Sequence, residues 1–137
     1  MKLIIHTDGG ARGNPGPAAI GVVVENEEEK EVGGFGKKIG ETTNNVAEYT
    51  AVIEALTYIK SLGESQGNTD LLDFYLDSQL VVNQLNGLFK IKLPHLRELL
   101  TKVRMLESEV GIPSRYQSVP REQNKRADFF VNQALDQ

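Results

Sequence analysis

Three segments of this chain break an apolar pattern with an acid, and the fold must find a place for each. Asp8 closes the strand-like stretch that begins with the apolar run 3–5, and Asp77 follows Phe74-Tyr75-Leu76. Glu48 heads a helical stripe made by Val52, Ala55, Leu56 and Ile59, one turn before Val52. A fourth acid, Asp128, follows in NKRAD. Carboxylates that converge in space repel one another, so a fold that gathers several needs cations to hold them. The pattern marks a candidate metal-dependent enzyme.

The remaining pattern places these acids on elements. Residues 2–8 read as a strand closed by the Gly9-Gly10 turn signal, and 13–17 as a tight Gly/Pro loop. The β-branched stretch 19–25 reads as a buried strand. The acidic turn 25–31 leads to a returning strand over 31–39, with Gly33, Gly34 and Gly36 weakening it or marking a bulge. Thr43 or Asn44 can cap a helix that runs to about residue 62 and ends at Gly63. A polar loop over 64–70, a strand over 71–76 and a short helix over 78–85 follow. The stripe Leu96, Leu99, Leu100, Val103 and Leu106 marks a helix after Pro94 as core. Residues 115–119 form a last strand, and 125–135 a closing helix with Ala127, Phe130, Val131, Ala134 and Leu135 inward. Three strands followed by alternating helix and strand give an α/β fold, a mixed sheet flanked by helices, in one domain over 1–137. Asp8 and Asp77 then fall at carboxyl ends of strands, where open α/β sheets place their sites.

Composition narrows the metal. There is no cysteine, and only His6 and His95 could offer imidazole. His6 reads as a packed strand histidine and His95 as a helix-start surface residue. A metal site must then be mainly oxygen-ligated, which favours Mg²⁺ or Mn²⁺ over Zn²⁺. No apolar stretch approaches a membrane span, and the N-terminal residues read as a strand, so neither a signal peptide nor a membrane partner is expected and a cytoplasmic protein is. No apolar stripe is left unexplained, which points to a monomer. The net charge of −4 argues mildly against general nucleic-acid affinity, while bases are spread through Lys90, Lys92, Arg97, Lys102, Arg104, Arg115, Arg121, Lys125 and Arg126.

Four pieces, TDGGARGNPGP, TTNNVAEY, LDSQLVVNQLNG and VPREQNKRAD, stand in an order that closely resembles the type 1 ribonuclease H family. The resemblance implies that family's RNase H-like fold, a five-stranded mixed sheet flanked by helices. It also implies endonucleolytic hydrolysis of the RNA strand of RNA/DNA hybrids with 5′-phosphate and 3′-hydroxyl products. Carried across, Asp8, Glu48, Asp77 and Asp128 are the catalytic, metal-binding carboxylates for two Mg²⁺ ions, with Mn²⁺ as a substitute. Asp8 bridges both ions, Asp128 helps hold the water-activating ion, and Glu48 and Asp77 hold the ion at the leaving group. A phosphodiester develops charge at both its attacking and leaving oxygens, and two ions about 4 Å apart serve both. By the same resemblance Gly9, Gly10, Asn14, Asn44 and Gln79 read the RNA minor groove and its 2′-hydroxyls. Thr43 grips a DNA-strand phosphate, with Arg12 in the same loop region.

Two features depart from the family. Many relatives carry histidine where Ser118 stands, and serine does not titrate near neutral pH. Some carry a basic helix and loop that residues 87–94 are too few to build, which predicts weak, salt-sensitive hybrid binding. Taken singly, Asp77 has an ordinary use as a turn former or helix cap, and Asp128 as an acid favoured near a helix start. A binding module that has lost its chemistry, or another nuclease on the same fold, are the competing readings, and double-stranded RNA stays open as a second substrate.

Overall fold

Alternation along the first strand orients the whole sheet. In β1 (Lys2–Ala11), Leu3, Ile5 and Thr7 turn to one face and are buried, while Ile4 and His6 are half-buried on the other. The computed structural model describes residues 1–63 and 67–137. β2 (Gly16–Glu25) and β3 (Glu31–Thr42) continue antiparallel from β1, whereas β4 (Leu71–Leu76) and β5 (Ser114–Ser118) pair parallel on its other side. The order β3-β2-β1-β4-β5 is the five-stranded mixed sheet expected, with β1 at its centre.

Helices cover both faces. α1 (Asn44–Leu62) begins at Thr43, whose side chain accepts a hydrogen bond from the Val46 N–H at 3.3 Å. Its residues Val52, Ala55, Leu56 and Ile59 are all buried in the main core with Leu3, Ile5 and Phe74. α2 (Gln79–Leu85) is capped by Ser78, and α3 (Pro94–Val110) starts at proline and closes that core with Leu96, Val103 and Leu106. α4 (Lys125–Leu135) lies on the opposite face, where Ala19 meets Val131 and Ala134. Helix boundaries follow the sequence closely because each apolar stripe has a partner surface of its own. Among the described residues no helix is long and apolar enough to cross a membrane.

The strands depart from expectation in two places. Gly9-Gly10 is not a turn: β1 runs on to Ala11, pairing Gly9 with Ile20 and Gly10 with Ala19. The glycine at position 9 serves a close approach, since a Cβ there would stand 2.3 Å from the carbonyl of Ala47 in α1. β3 likewise runs to Thr42, and its Gly34 and Gly36 leave room for α4, a Cβ on Gly36 falling 2.3 Å from the Phe130 carbonyl oxygen. One irregularity in its pairing with β2 lies at Val24/Glu25, beside Gly33 as expected of a bulge, and the other at Ala18/Ala19, away from Gly34 and Gly36. The polar-loop reading of 64–70 falls partly outside the described residues. His95 is exposed, and His6 stacks on Tyr75 at 5.3 Å, as a packed strand histidine should.

Candidate active site

Register explains how the first two acids meet. β1 and β4 pair from Lys2↔Leu71 through His6↔Tyr75, and two more steps along both chains reach Asp8 and Asp77. β4 ends at Leu76, so Asp77 stands at a strand terminus as expected; Asp8 lies within β1, opposite Gly21 of β2. The bare Gly9 lets α1 close in until Glu48 joins them. Carboxylate oxygens of Asp8, Glu48 and Asp77 all lie within 4.8 Å of one another. Asp128, in the first turn of α4, stands outside that trio but lines the same cleft of about 400 Å³ and is within hydrogen-bond reach of Asp8. Asn132, one turn later, donates to the Asp128 carboxylate at 3.3 Å.

The electrostatics show crowding. Burial, then the charges of Asp77 and Asp128, push Asp8 up to about 8 from an ordinary 3.8. Glu48 is held well above the usual carboxylate range by burial and by Asp8 and Asp77, against one favourable hydrogen bond from the Gly9 N–H. Burial also raises Asp77, an effect that Arg121 opposes. Glu48 Oε2 is buried with no hydrogen-bond partner. A buried carboxylate oxygen without a donor costs free energy that a bound cation would recover. An all-oxygen donor set with one orphaned oxygen fits a hard divalent ion.

The expected nucleic-acid contacts divide. Gly9, Gly10, Arg12 and Asn44 line the cleft with the carboxylates, while Asn14, Thr43 and Gln79 do not. Asn14 instead accepts from the Asn44 N–H at 3.0 Å, and the Asn44 Oδ1 accepts from the Ala11 N–H at 2.9 Å, so the two amides pin the 12–15 loop and the end of β1 to the head of α1. Thr43 is occupied as the α1 cap, and Gln79 is exposed at the start of α2. Ser118 is exposed at the end of β5, opposite Leu76 and outside the cleft lining.

Sequence reading missed two residues. Arg121 lines the cleft and reaches to 3.8 Å from the Asp77 carboxylate. Asn124 is buried; its Nδ2 donates to the Thr7 carbonyl at 2.9 Å, its Oδ1 meets His6 Nδ1 at 3.2 Å, and its carbonyl accepts from the Asp128 N–H at 3.1 Å. It thereby ties the strand carrying Asp8 to the helix carrying Asp128. Only an asparagine at a helix start hints at this, and that hint reads as an ordinary cap. Asn124→Ala should cost about 1–3 kcal/mol in urea unfolding, because the Thr7 carbonyl and the His6 ring both lose a buried partner. A loss below about 0.5 kcal/mol would remove Asn124 from this role.

Comparisons with known proteins place the fold among relatives. Residues 6–134 match a family described as reverse transcriptase-like. A bifunctional protein of Mycobacterium tuberculosis is 40% identical over 137 residues, covering 99% of this chain and 36% of its own length. Ribonuclease HI of Halobacterium salinarum is 42% identical over 136 residues, covering 98% of this chain and 65% of its own length. The chain thus spans from about a third to two-thirds of these curated relatives. A crystal structure of LC11-RNase H1 in complex with an RNA/DNA hybrid superposes with a TM-score of 0.92 at 44% identity, covering 98% of this chain and 97% of that one.

Proposed function

The chain belongs to the type 1 ribonuclease H family, and from that premise we propose that it is an endonuclease cutting the RNA strand of RNA/DNA hybrids. The observation that carries this reading is the convergence of Asp8, Glu48 and Asp77, with Asp128 beside Asp8. The hybrid bound to LC11-RNase H1 supports the substrate class. Residues 1–137 act as one RNase H domain in this reading.

Asp8, Glu48, Asp77 and Asp128 would hold two Mg²⁺ ions, with Mn²⁺ as a substitute. Bound there, the ions supply positive charge to the attacking and leaving oxygens of the phosphodiester and lower the pKa of a water. Asp8, central among the acids, would contribute to holding both ions, Asp128 would help hold the one on the attacking side, and Glu48 with Asp77 the one on the leaving side. Asn132 keeps the Asp128 carboxylate turned toward the cleft. The Gly9 and Gly10 backbone and the Asn44 amide line the cleft wall where 2′-hydroxyls, as donors and acceptors, would be read. Arg12, at the same wall, would meet the phosphate backbone. Asn14, Thr43 and Gln79 contribute from outside the cleft, the first two by fixing the loop and helix end that carry Asn44.

The products should carry 5′-phosphate and 3′-hydroxyl ends. Ligation of the purified downstream fragment without prior phosphorylation checks this, and fragments that need a kinase first would overturn it. Ser118 leaves the end of β5, beside Asp77, without a titratable group. Ser118→His should raise the saturating-substrate rate severalfold, short of the roughly 10²–10⁴-fold that a fully effective proton carrier supplies. An unchanged rate would show that proton transfer does not limit turnover.

A further inference from the structure

His6 is held on two sides and open on a third. Its ring stacks on Tyr75 with centroids 5.3 Å apart, and its Nδ1 meets Asn124 Oδ1 at 3.2 Å. The Asn124 Nδ2 donates to the Thr7 carbonyl at 2.9 Å, which fixes the amide so that its oxygen, an acceptor only, faces the ring. The imidazole proton therefore sits on Nδ1. In the neutral ring Nε2 is then a bare lone pair, and it stands 3.6 Å from Glu25 Oε1. Acceptor faces acceptor, at a separation too long for a proton to bridge as a hydrogen bond. Both side chains border a cleft of about 240 Å³ with Glu29, Tyr75 and Gln123, and this cleft shares no lining residue with the one that holds the four acids.

We propose that His6 Nε2 and Glu25 form a second metal site, one for a zinc-class ion, on the face of the sheet that carries α4. Two ligands about 2.1 Å from a tetrahedral zinc stand about 3.4 Å from one another, close to the 3.6 Å found here. Imidazole suits zinc, whereas carboxylates and water suit magnesium, so this ion differs in kind from one held by the acids alone. The Nδ1–H on Asn124 Oδ1 is the support that metal-ligating histidines ordinarily have, setting the tautomer and the ring plane. Glu29 is exposed on the turn between β2 and β3, where its N–H donates to the Asn26 carbonyl at 2.9 Å. It supplies a third ligand by turning into the cleft, and water the fourth. The His6 and Glu25 side chains are 20% and 23% exposed, which leaves the ion an entry path. The site stands independently of the function proposed above.

The test is a Zn²⁺ titration of the whole chain, with excess Mg²⁺ present to compete at the carboxylate cleft. Wild type should bind one Zn²⁺, and imidazole nitrogen NMR should show the His6 signal moving with it while the His95 signal stays. Glu25→Gln keeps the shape of the side chain and removes its charge. It should weaken Zn²⁺ binding about tenfold or more, at least what a lost supporting partner costs a metal site. His6→Phe keeps an aromatic ring against Tyr75 and should abolish binding here. Asp8→Asn, a change in the other cleft, should bind Zn²⁺ as wild type does. No Zn²⁺ binding by wild type, or binding unchanged in either Glu25→Gln or His6→Phe, overturns the inference. Binding lost in Asp8→Asn and kept in Glu25→Gln would overturn it too, by placing the ion among the acids.

Discussion

Asp8→Asn should abolish hybrid cleavage, by about 10³-fold or more, and yet raise the melting temperature of the metal-free protein at neutral pH. The first effect follows from the central place of Asp8 among four acids. The second follows from its charge. Burial and the neighbouring Asp77 and Asp128 raise its folded-state value to about 8, against 3.8 when unfolded. A raised value means the folded chain holds the proton more tightly than the unfolded one does. Its stabilisation is complete below about pH 4 and is lost as pH rises through about 8. Asparagine resembles the protonated acid at every pH and escapes that loss. At pH 7 the variant should melt about 3–6 °C above wild type, or roughly 1–2 kcal/mol, with the gap closing toward pH 4. Saturating Mg²⁺ should narrow the gap by stabilising wild type. A variant that melts lower than wild type throughout this range would mean that the acids do not strain the fold.

Gly9→Ala should be among the most destabilising single changes in the chain, although it adds one methyl group. That methyl would stand 2.3 Å from the carbonyl carbon and oxygen of Ala47, and 2.6 Å from the Glu48 nitrogen. Backbone atoms of a packed helix cannot turn aside as a side chain can, so α1 must shift. The expected cost is about 3 kcal/mol or more in urea unfolding, the upper range for overpacking. Because the displaced atoms include Glu48, metal binding should fall as well. Gly10→Ala is the control: its Cβ would meet Val131 Cγ1 at 3.8 Å, an ordinary contact. Equal destabilisation by the two substitutions would contradict the close-approach role of Gly9.

What the sequence revealed, and what it hid, divide along a physical line. The apolar stripes of α1 and α4 and the Thr43 cap are local patterns, and they set those helices nearly to the residue. The acids were legible for the same reason, each interrupting or ending such a pattern. Gly9-Gly10 misled because a glycine pair looks alike whether it turns a chain or admits a neighbouring helix; only the packing of α1 on β1 decides. Asn14 and Asn44 carry amides suited to nucleic acid, but part of each is committed to holding the β1–β2 loop and the end of β1 against α1, a long-range arrangement with no local signature. Asn124 and Arg121 were silent for the same reason. The function of each depends on what lies across the sheet end, Thr7 for one and Asp77 for the other.

The most direct test is digestion of an end-labelled RNA/DNA hybrid with Mg²⁺, beside matched double-stranded RNA and double-stranded DNA, with Asp8→Asn as the paired control. The expected result is cutting of the RNA strand of the hybrid, none of double-stranded DNA, and loss of cutting in the variant. An intact hybrid with both Mg²⁺ and Mn²⁺, or cutting that survives in Asp8→Asn, would contradict it.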